Sequence, residues 1–242
     1  MRYFYLFVFV LIVGCTPSKK EFTAQEIIDA SILNSGTDKV ANAKITFNFR
    51  DKKYSAKRNK GNFALTRSFD SITDILSNTG FKRYVNKTEL KVADSMVSRY
   101  ANSINSVHYF SVLPFGLNDT SVFKKRLPSS TIKGKEYYKI KITFSEKGGG
   151  EDFDDIFIYW IGKEDFLVDY LAYSYHTNGG GKRFRVLKEQ CSKNGIRFVD
   201  YHNYKPLNKS ISLIDIDKAF ENNQLQKLSE IILKDIKVDI LD

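Results

Sequence analysis

Three histidines, one dense run of carboxylates and a set of regularly spaced aromatics are the residues of this chain that could do chemistry. A zinc-dependent hydrolase needs its ligands brought together, with imidazole nitrogens ~2.0–2.1 Å from the metal. His108, His176 and His202 are the available imidazoles, and no HExxH or CxxC spacing holds them. By strand alternation His176 shares a face with Tyr170, and His202 shares one with Asp200 and Tyr204. Such positions are more simply polar side chains at strand ends. Glu151, Asp152, Asp154 and Asp155 could offer hard oxygen ligands to calcium. The EF-hand order is absent, and acidic residues suit an exposed turn without any metal. The glycine runs Gly148-Gly149-Gly150 and Asn178-Gly179-Gly180-Gly181 do not match GxxxxGK[ST] and no helix follows them, so they read as hairpin turns. No GxSxG elbow occurs, although a triad is defined by geometry and not by spacing. No metal site and no cofactor are expected.

The aromatics, 14% of the residues, are the larger signal. Phe47, Phe49, Tyr138, Phe144, Trp160 and Tyr170 fall on regular strand faces, and Tyr100 falls on a helical stripe. In a filled sheet these are plain core. In a curved, underfilled sheet the same side chains line an apolar ligand pocket. Periodicity does not separate the two readings.

The elements that would position them are legible from their periods. Thr23-Ala24-Gln25-Glu26 is a capping box that starts a helix over Glu21 to Ser35, with Gly36 as its stop. Lys44 to Arg50 alternates, with Ile45, Phe47 and Phe49 on one face. Lys53 to Arg58, Phe63 to Phe69 and Phe81 to Asn86 read as further strands. Val92 to Val107 switches to helical spacing through Met96, Val97, Tyr100 and Ile104, with Asp94 or Ser95 as cap. Leu113 to Leu117 is an apolar loop, either a lid or a segment packed down by Phe115 and Leu117. From Glu136 a meander begins. Its centre is the hairpin from Asp155 to His176, apolar on both faces and therefore expected to be covered on both sides. Lys182 to Lys188 and Ile196 to Lys205 follow. A helical turn over Asp217 to Glu221 and a strand over Ile231 to Ile240 complete the chain. The pattern predicts a mainly β (α+β) fold. It is a curved antiparallel sheet, or half-barrel, of about ten strands with helices on the concave side, since longer open sheets curl or close.

The N-terminus carries an address. Arg2 precedes the unbroken apolar run Tyr3 to Val13, which is short for a bilayer span of ~20 residues and suits a signal peptide. Its closing residues Leu11-Ile12-Val13-Gly14-Cys15 resemble the lipobox of bacterial lipoproteins. That resemblance implies lipidation of Cys15, removal of residues 1–14, a tether over 15–21 and a single β-rich domain over 22–242. The alternative is an ordinary secretory signal with Cys15 as a plain thiol. Only two cysteines exist, so a lipidated Cys15 leaves Cys191, in the polar stretch Lys188 to Gly195, without a disulfide partner. The formal net charge of +10 would suggest nucleic acid inside a cell. Behind a signal peptide, with the basic residues spread over many strands, it reads as a solvated basic surface and no nucleic-acid partner is expected. Thr16 stands where the best-known sorting systems use Asp to retain a lipoprotein at the inner membrane. By that resemblance the expected place is the outer membrane, facing the periplasm.

The order of a lipobox, an N-terminal helix, strands from Ile45 to Phe69, a middle helix and a long aromatic meander resembles the LolA/LolB-like fold of lipoprotein carriers. The blocks Ser106-Val107-His108-Tyr109-Phe110, Gly134-Lys135-Glu136-Tyr137-Tyr138, Gly148-Gly149-Gly150-Glu151-Asp152-Phe153 and Asn194 to Tyr201 resemble an uncharacterised family of secreted bacterial lipoproteins. The first resemblance implies a concave face that holds acyl chains, and makes Leu113 to Leu117 a counterpart of the exposed loop of LolB-type receptors. The expected function is a non-catalytic, membrane-anchored lipoprotein that binds a lipid or a lipidated chain. Its cavity wall would be Phe47, Phe49, Tyr100, Tyr138, Phe144, Trp160 and Tyr170. Two alternatives stand: an envelope scaffold with a filled core, and a metal-dependent hydrolase built on His108, His176 and His202.

Overall fold

The computed structural model describes residues 21–147, 153–176 and 179–242. The expected signal peptide, Cys15, the glycine run 148–150, Glu151, Asp152 and Asn178 lie outside the described residues. Among those described, no helix is long and apolar enough to cross a membrane.

The described residues form two antiparallel seven-stranded sheets. The first runs through β1 (Ala43–Phe49), β2 (Lys52–Asn59), β3 (Asn62–Phe69), β4 (Ile72–Ser77), β5 (Gly80–Val85) and β6 (Thr88–Leu90). The second runs through β7 (Val122–Ile132), β8 (Lys135–Phe144), β9 (Ile156–Gly162), β10 (Val168–Tyr175), β11 (Gly181–Lys193), β12 (Ile196–Pro206) and β13 (Leu225–Ile231). The chain then crosses back, and β14 (Leu233–Ile240) pairs with β1. The helices are α1 (Ala24–Asn34), α2 (Asp94–Ser111) and α3 (Ile216–Glu221).

The mainly β fold is the expected one, with fourteen strands where the pattern counts about ten. The strands that escape the pattern have identifiable reasons. β6, β7 and β13 are edge strands with a largely exposed face. β7 also contains Pro128, which an edge tolerates. β4 buries Asp74 where an apolar residue is expected, so its alternation is hidden.

α1 forms where the capping box predicts it. The Thr23 amide donates to Glu26 at 2.9 Å, and the Glu26 amide donates to Thr23 Oγ1 at 3.2 Å. Ile27 and Ile28 are fully buried against Ile140, Tyr159, Ile161 and Leu171 of the second sheet. Gly36 has φ +66° and lies against the Gly195 carbonyl, so neither its backbone nor its surroundings accept a Cβ. α2 has no side-chain cap, contrary to the expected role of Asp94 or Ser95. It packs on β3, β4 and β5 through Ile104 and runs on to Tyr109 and Phe110, which reach the second sheet. We call the face of the second sheet that meets α1 and α2 its inner face.

The β9–β10 hairpin is central, as expected. β10 is the middle strand of its sheet, and nearly all of β9 is buried. Phe157, Tyr159, Ile161 and Leu171 face inward. Ile158, Trp160, Tyr170 and Ala172 face outward and are covered by Leu213, Ile216 and Phe220 on and before α3. α3 therefore sits on the outer face, not on the side of α1 and α2. Lys139 and Asp217 pair at 3.0 Å beneath it, both buried, and the Trp160 indole donates to Asp217 at 3.1 Å. A third core, with Val40, Ile45, Phe47, Val112, Ile196 and Phe198, joins the two sheets.

Candidate functional site

A cleft of about 530 Å³ lies between the C-terminal half of α2 and the inner face of the second sheet. The register explains its wall. Tyr173 lies opposite Phe157 on one side and opposite Arg183 on the other, so these three form a row across β9, β10 and β11. The next row places Tyr159, Leu171 and Arg185 side by side. α2 supplies the roof with Asn105, Tyr109 and Phe110, and Ile231 and Leu233 close one end where the chain crosses between sheets.

The aromatic contacts are close and mostly specific. Phe157 stacks on Tyr173 with centroids 5.4 Å apart, Phe110 meets Tyr173 at 5.4 Å, and Phe144 meets Phe157 edge-on at 5.7 Å. The Tyr109 and Tyr159 hydroxyls are 2.9 Å apart. Burial raises both phenols far above the usual range and pushes Tyr201 up to about 12, so the wall is uncharged there. The charges on the lining are Arg183, Arg185 and Asp155. The arrangement suits an apolar ligand with a polar end.

Two helical supports come from buried charge. Asp74 is fully buried and accepts from Arg67 at 2.7 Å and from Arg83 at 2.6 and 2.9 Å. Burial alone would raise its pKa, but the two guanidinium groups hold the carboxyl below its usual value. Arg67 also donates to Ser103 at 2.7 Å, and the Arg83 guanidinium lies 3.8 Å from the Tyr100 ring centre. Both partners are on α2, so this triad docks the roof of the cleft.

The expected wall residues divide. Phe49 and Phe144 line the cleft. Phe47 is 1% exposed and stacks on Tyr54 in the junction core. Tyr100 packs on Phe81, and Tyr138 packs between Phe22 and Phe166. Trp160 and Tyr170 lie on the outer face under α3, one strand position out of phase with the cleft. The residues that sequence reasoning passed over are Tyr109, Phe110, Phe157, Tyr173, Arg183 and Arg185. Arg183-Phe184-Arg185-Val186 held a usable signal, since charge alternating with apolar residues in an inner strand demands a purpose for its charged face.

The histidines do not converge, which removes the metal-dependent hydrolase reading. His108 is 1% exposed between Phe47 and Tyr54, lies 3.2 Å from the Thr66 carbonyl, and is pushed down to about 4 by burial. His202 is on β12, 3.3 Å from Glu230 but not aligned for a hydrogen bond. His176 is 3.2 Å from Asp154 and 3.5 Å from Asp155. Those last three side chains bring ligand atoms within 4.8 Å of one another and could hold a divalent cation. They equally satisfy one another as an ion-paired turn. The Leu113 to Leu117 loop is packed down, with Leu113 and Leu117 buried, and is not an exposed delivery loop. Cys191 is an exposed free thiol on β11, which runs through the expected polar turn to Lys193.

A second cleft of about 380 Å³ lies on the other side of α2, between Arg58, Phe63, Phe115 and Asp119. Burial lowers the Arg58 pKa to about 10.

The model of a family of unknown function, DUF6503, matches residues 1–232. A search among curated proteins finds no match to the chain. Among solved structures, a DUF1329 family protein from Desulfovibrio piger superposes with a TM-score of 0.51 at 9% identity, over 90% of this chain and 93% of that one. A LolA superfamily protein from Nitrosomonas europaea gives a TM-score of 0.48 at 9% identity, over 92% of this chain and 94% of its own.

Proposed function

The chain belongs to DUF6503, and from that premise we propose that this member is a non-catalytic lipoprotein of the bacterial cell envelope that holds an apolar ligand in the α2 cleft. The ligand class is a lipid or a lipidated chain. Cys15 carries the anchor, and the outer membrane, facing the periplasm, is the proposed site. The observation that carries the reading is the cleft itself: about 530 Å³ left open and walled by Phe110, Phe144, Phe157 and Tyr173. Volumes of ~300–1,000 Å³ are typical of small-ligand sites, and here the aromatic wall is joined by polar side chains, among them Asn105, Ser106, Arg183 and Arg185. An acyl segment that buries ~200 Å² there gains about 5 kcal/mol before association costs, at ~25 cal/mol per Å². The open cleft also weighs against a scaffold with a filled core.

The segment from Glu21 to Asp242 contains every described strand, helix and core cluster, and we propose it as the folding unit. Purified without the N-terminal run, it is expected to enhance the fluorescence of the neutral dye Nile red and to release co-purified lipid on solvent extraction. Substituting Ser106, on the roof, with Trp is expected to abolish both. Absence of dye binding and of extractable lipid from the native protein would dismiss this function.

A further inference from the structure

We infer that the ligand of the α2 cleft is an amphiphile with an anionic headgroup, a carboxylate or a phosphate, received by Arg185 with Arg183 at the rim. The inference rests on the reading of the cleft as a ligand site and goes beyond it by naming the headgroup.

Arg185 is 8% exposed, which is unusual for a permanently charged side chain. Buried arginines are normally matched by a carboxylate, because an unpaired charge away from water is costly. The other deeply buried cations among the described residues obey that rule. Arg67 pairs with Asp74, Arg197 with Asp169, and Lys139 with Asp217. Arg185 has no carboxylate within ion-pair distance among the described residues. Its guanidinium lies 3.7 Å from the Phe110 ring centre and donates to the Tyr173 hydroxyl at 3.3 Å, while Nε has no hydrogen-bond partner among the described residues. Phe110 and Tyr173 both line the cleft, as Arg185 itself does. The guanidinium is therefore held by two aromatic side chains on the lining of the cleft and has donors that those contacts do not use.

Arg183 repeats the theme two residues earlier on the same face of β11. It lies 5.0 Å from the Tyr175 ring centre, donates to the Lys182 carbonyl at 2.9 Å, and has no carboxylate partner among the described residues. A planar fork with free donors beside an aromatic wall is the arrangement that receives a carboxylate or phosphate in two hydrogen bonds. The hydrocarbon part of the ligand would then run along Phe157 and Phe144. One rival use of Arg185 is internal. Asn203 lies opposite it on β12, and its side-chain oxygen also lacks a donor. If that pairing satisfies Arg185, the arginine is structural and the cleft has no preference for charge.

The test is displacement of Nile red from the purified segment 21–242 by dodecanoate, monododecyl phosphate and 1-dodecanol, which share one chain and differ in the headgroup. We expect at least one of the two anions to displace the dye at a concentration at least tenfold lower than the alcohol does, and whichever anion wins names the source. Arg185→Gln is expected to bring the anions to within about twofold of the alcohol. Arg185→Lys should retain part of the preference. Equal displacement by all three ligands on the native protein overturns the headgroup inference and leaves the apolar cleft standing. An anion preference that survives intact in a folded Arg185→Gln protein also overturns it. Failure of the dye and of all three ligands to bind overturns both readings together. If Arg185→Gln does not fold, the native ratio of anion to alcohol still decides.

Discussion

Replacing Asp74 with Ala should both destabilise the protein and loosen its ligand site. The carboxylate is fully buried and is the shared acceptor for Arg67 and Arg83, whose side chains are 8% and 12% exposed. Its removal leaves two guanidinium groups in a poorly hydrated place with no anion. Breaking such a pair from one side costs ~3–5 kcal/mol, most of it from the charges left behind. For a chain of this size each kcal/mol moves Tm by ~2–4 °C, so a loss of about 10 °C is expected, within limits of ~6–20 °C. The second effect follows from what the arginines hold. Arg67 reaches Ser103 and Arg83 reaches Tyr100, so α2 loses two of its attachments to the first sheet and its far end roofs the cleft. Nile red affinity should fall at a temperature where circular dichroism shows the variant still folded. Acid gives a further check. The folded pKa of Asp74 lies below its unfolded value, so its stabilisation is fully present above ~3.9 and is lost as pH falls through the folded value. The deficit of the variant should therefore shrink at the acid end of a stability profile. Replacing all three charges together, by Arg67→Met, Asp74→Leu and Arg83→Met, should recover most of the lost stability. A single-variant loss below ~1 kcal/mol, or unchanged dye binding, would refute the docking role.

The remaining expectations are narrower. Gly36→Ala places a Cβ at φ +66° and against the Gly195 carbonyl, so chemical denaturation should show a loss of ~2 kcal/mol or more. His108 is neutral when folded, with its pKa pushed down to about 4 by burial. Its contribution is present above the unfolded value of ~6.5 and is lost as pH falls toward 4, so His108→Gln should flatten the stability profile across that window. Asp217→Ala strands the buried Lys139 and removes an acceptor from Trp160, so the variant should unfold earlier by ~3 kcal/mol or more and shift the tryptophan emission. Cys15→Ser should abolish incorporation of labelled palmitate in cells and release the protein from the membrane fraction.

How much of this was legible in the sequence depends on what each signal measures. Alternation reports a strand that separates apolar from polar, so β1, β2, β3, β8 and β12 stand out, while β9 and β10 stand out as runs rich in β-branched and aromatic residues. It fails at β4, where the inward residue is the charged Asp74, and at the edge strands β6, β7 and β13, which have little to hide on either face. The cleft was less legible for a different reason. β9 and β10 are apolar on both faces, so their residues alone do not say which face meets a helix and which leaves a gap. That choice is made elsewhere. Ile216 and Phe220 of α3 fill the side of Trp160 and Tyr170, while α2, held off by its docking on β3 to β5, leaves the side of Phe157 and Tyr173 open. A single parity step therefore separates Trp160 and Tyr170, which lie in the core, from the cleft, while Phe49 and Phe144, at strand ends beside the opening, line it. The face could still have been chosen from the neighbouring strand. Arg183 and Arg185 alternate with Phe184 and Val186, and Phe184 is fully buried while Val186 is nearly so. A strand buries its uncharged side against a filled core far more readily than its arginines. The arginine side is thus the one with reason to keep space beside it, and across the register that side is Phe157 and Tyr173.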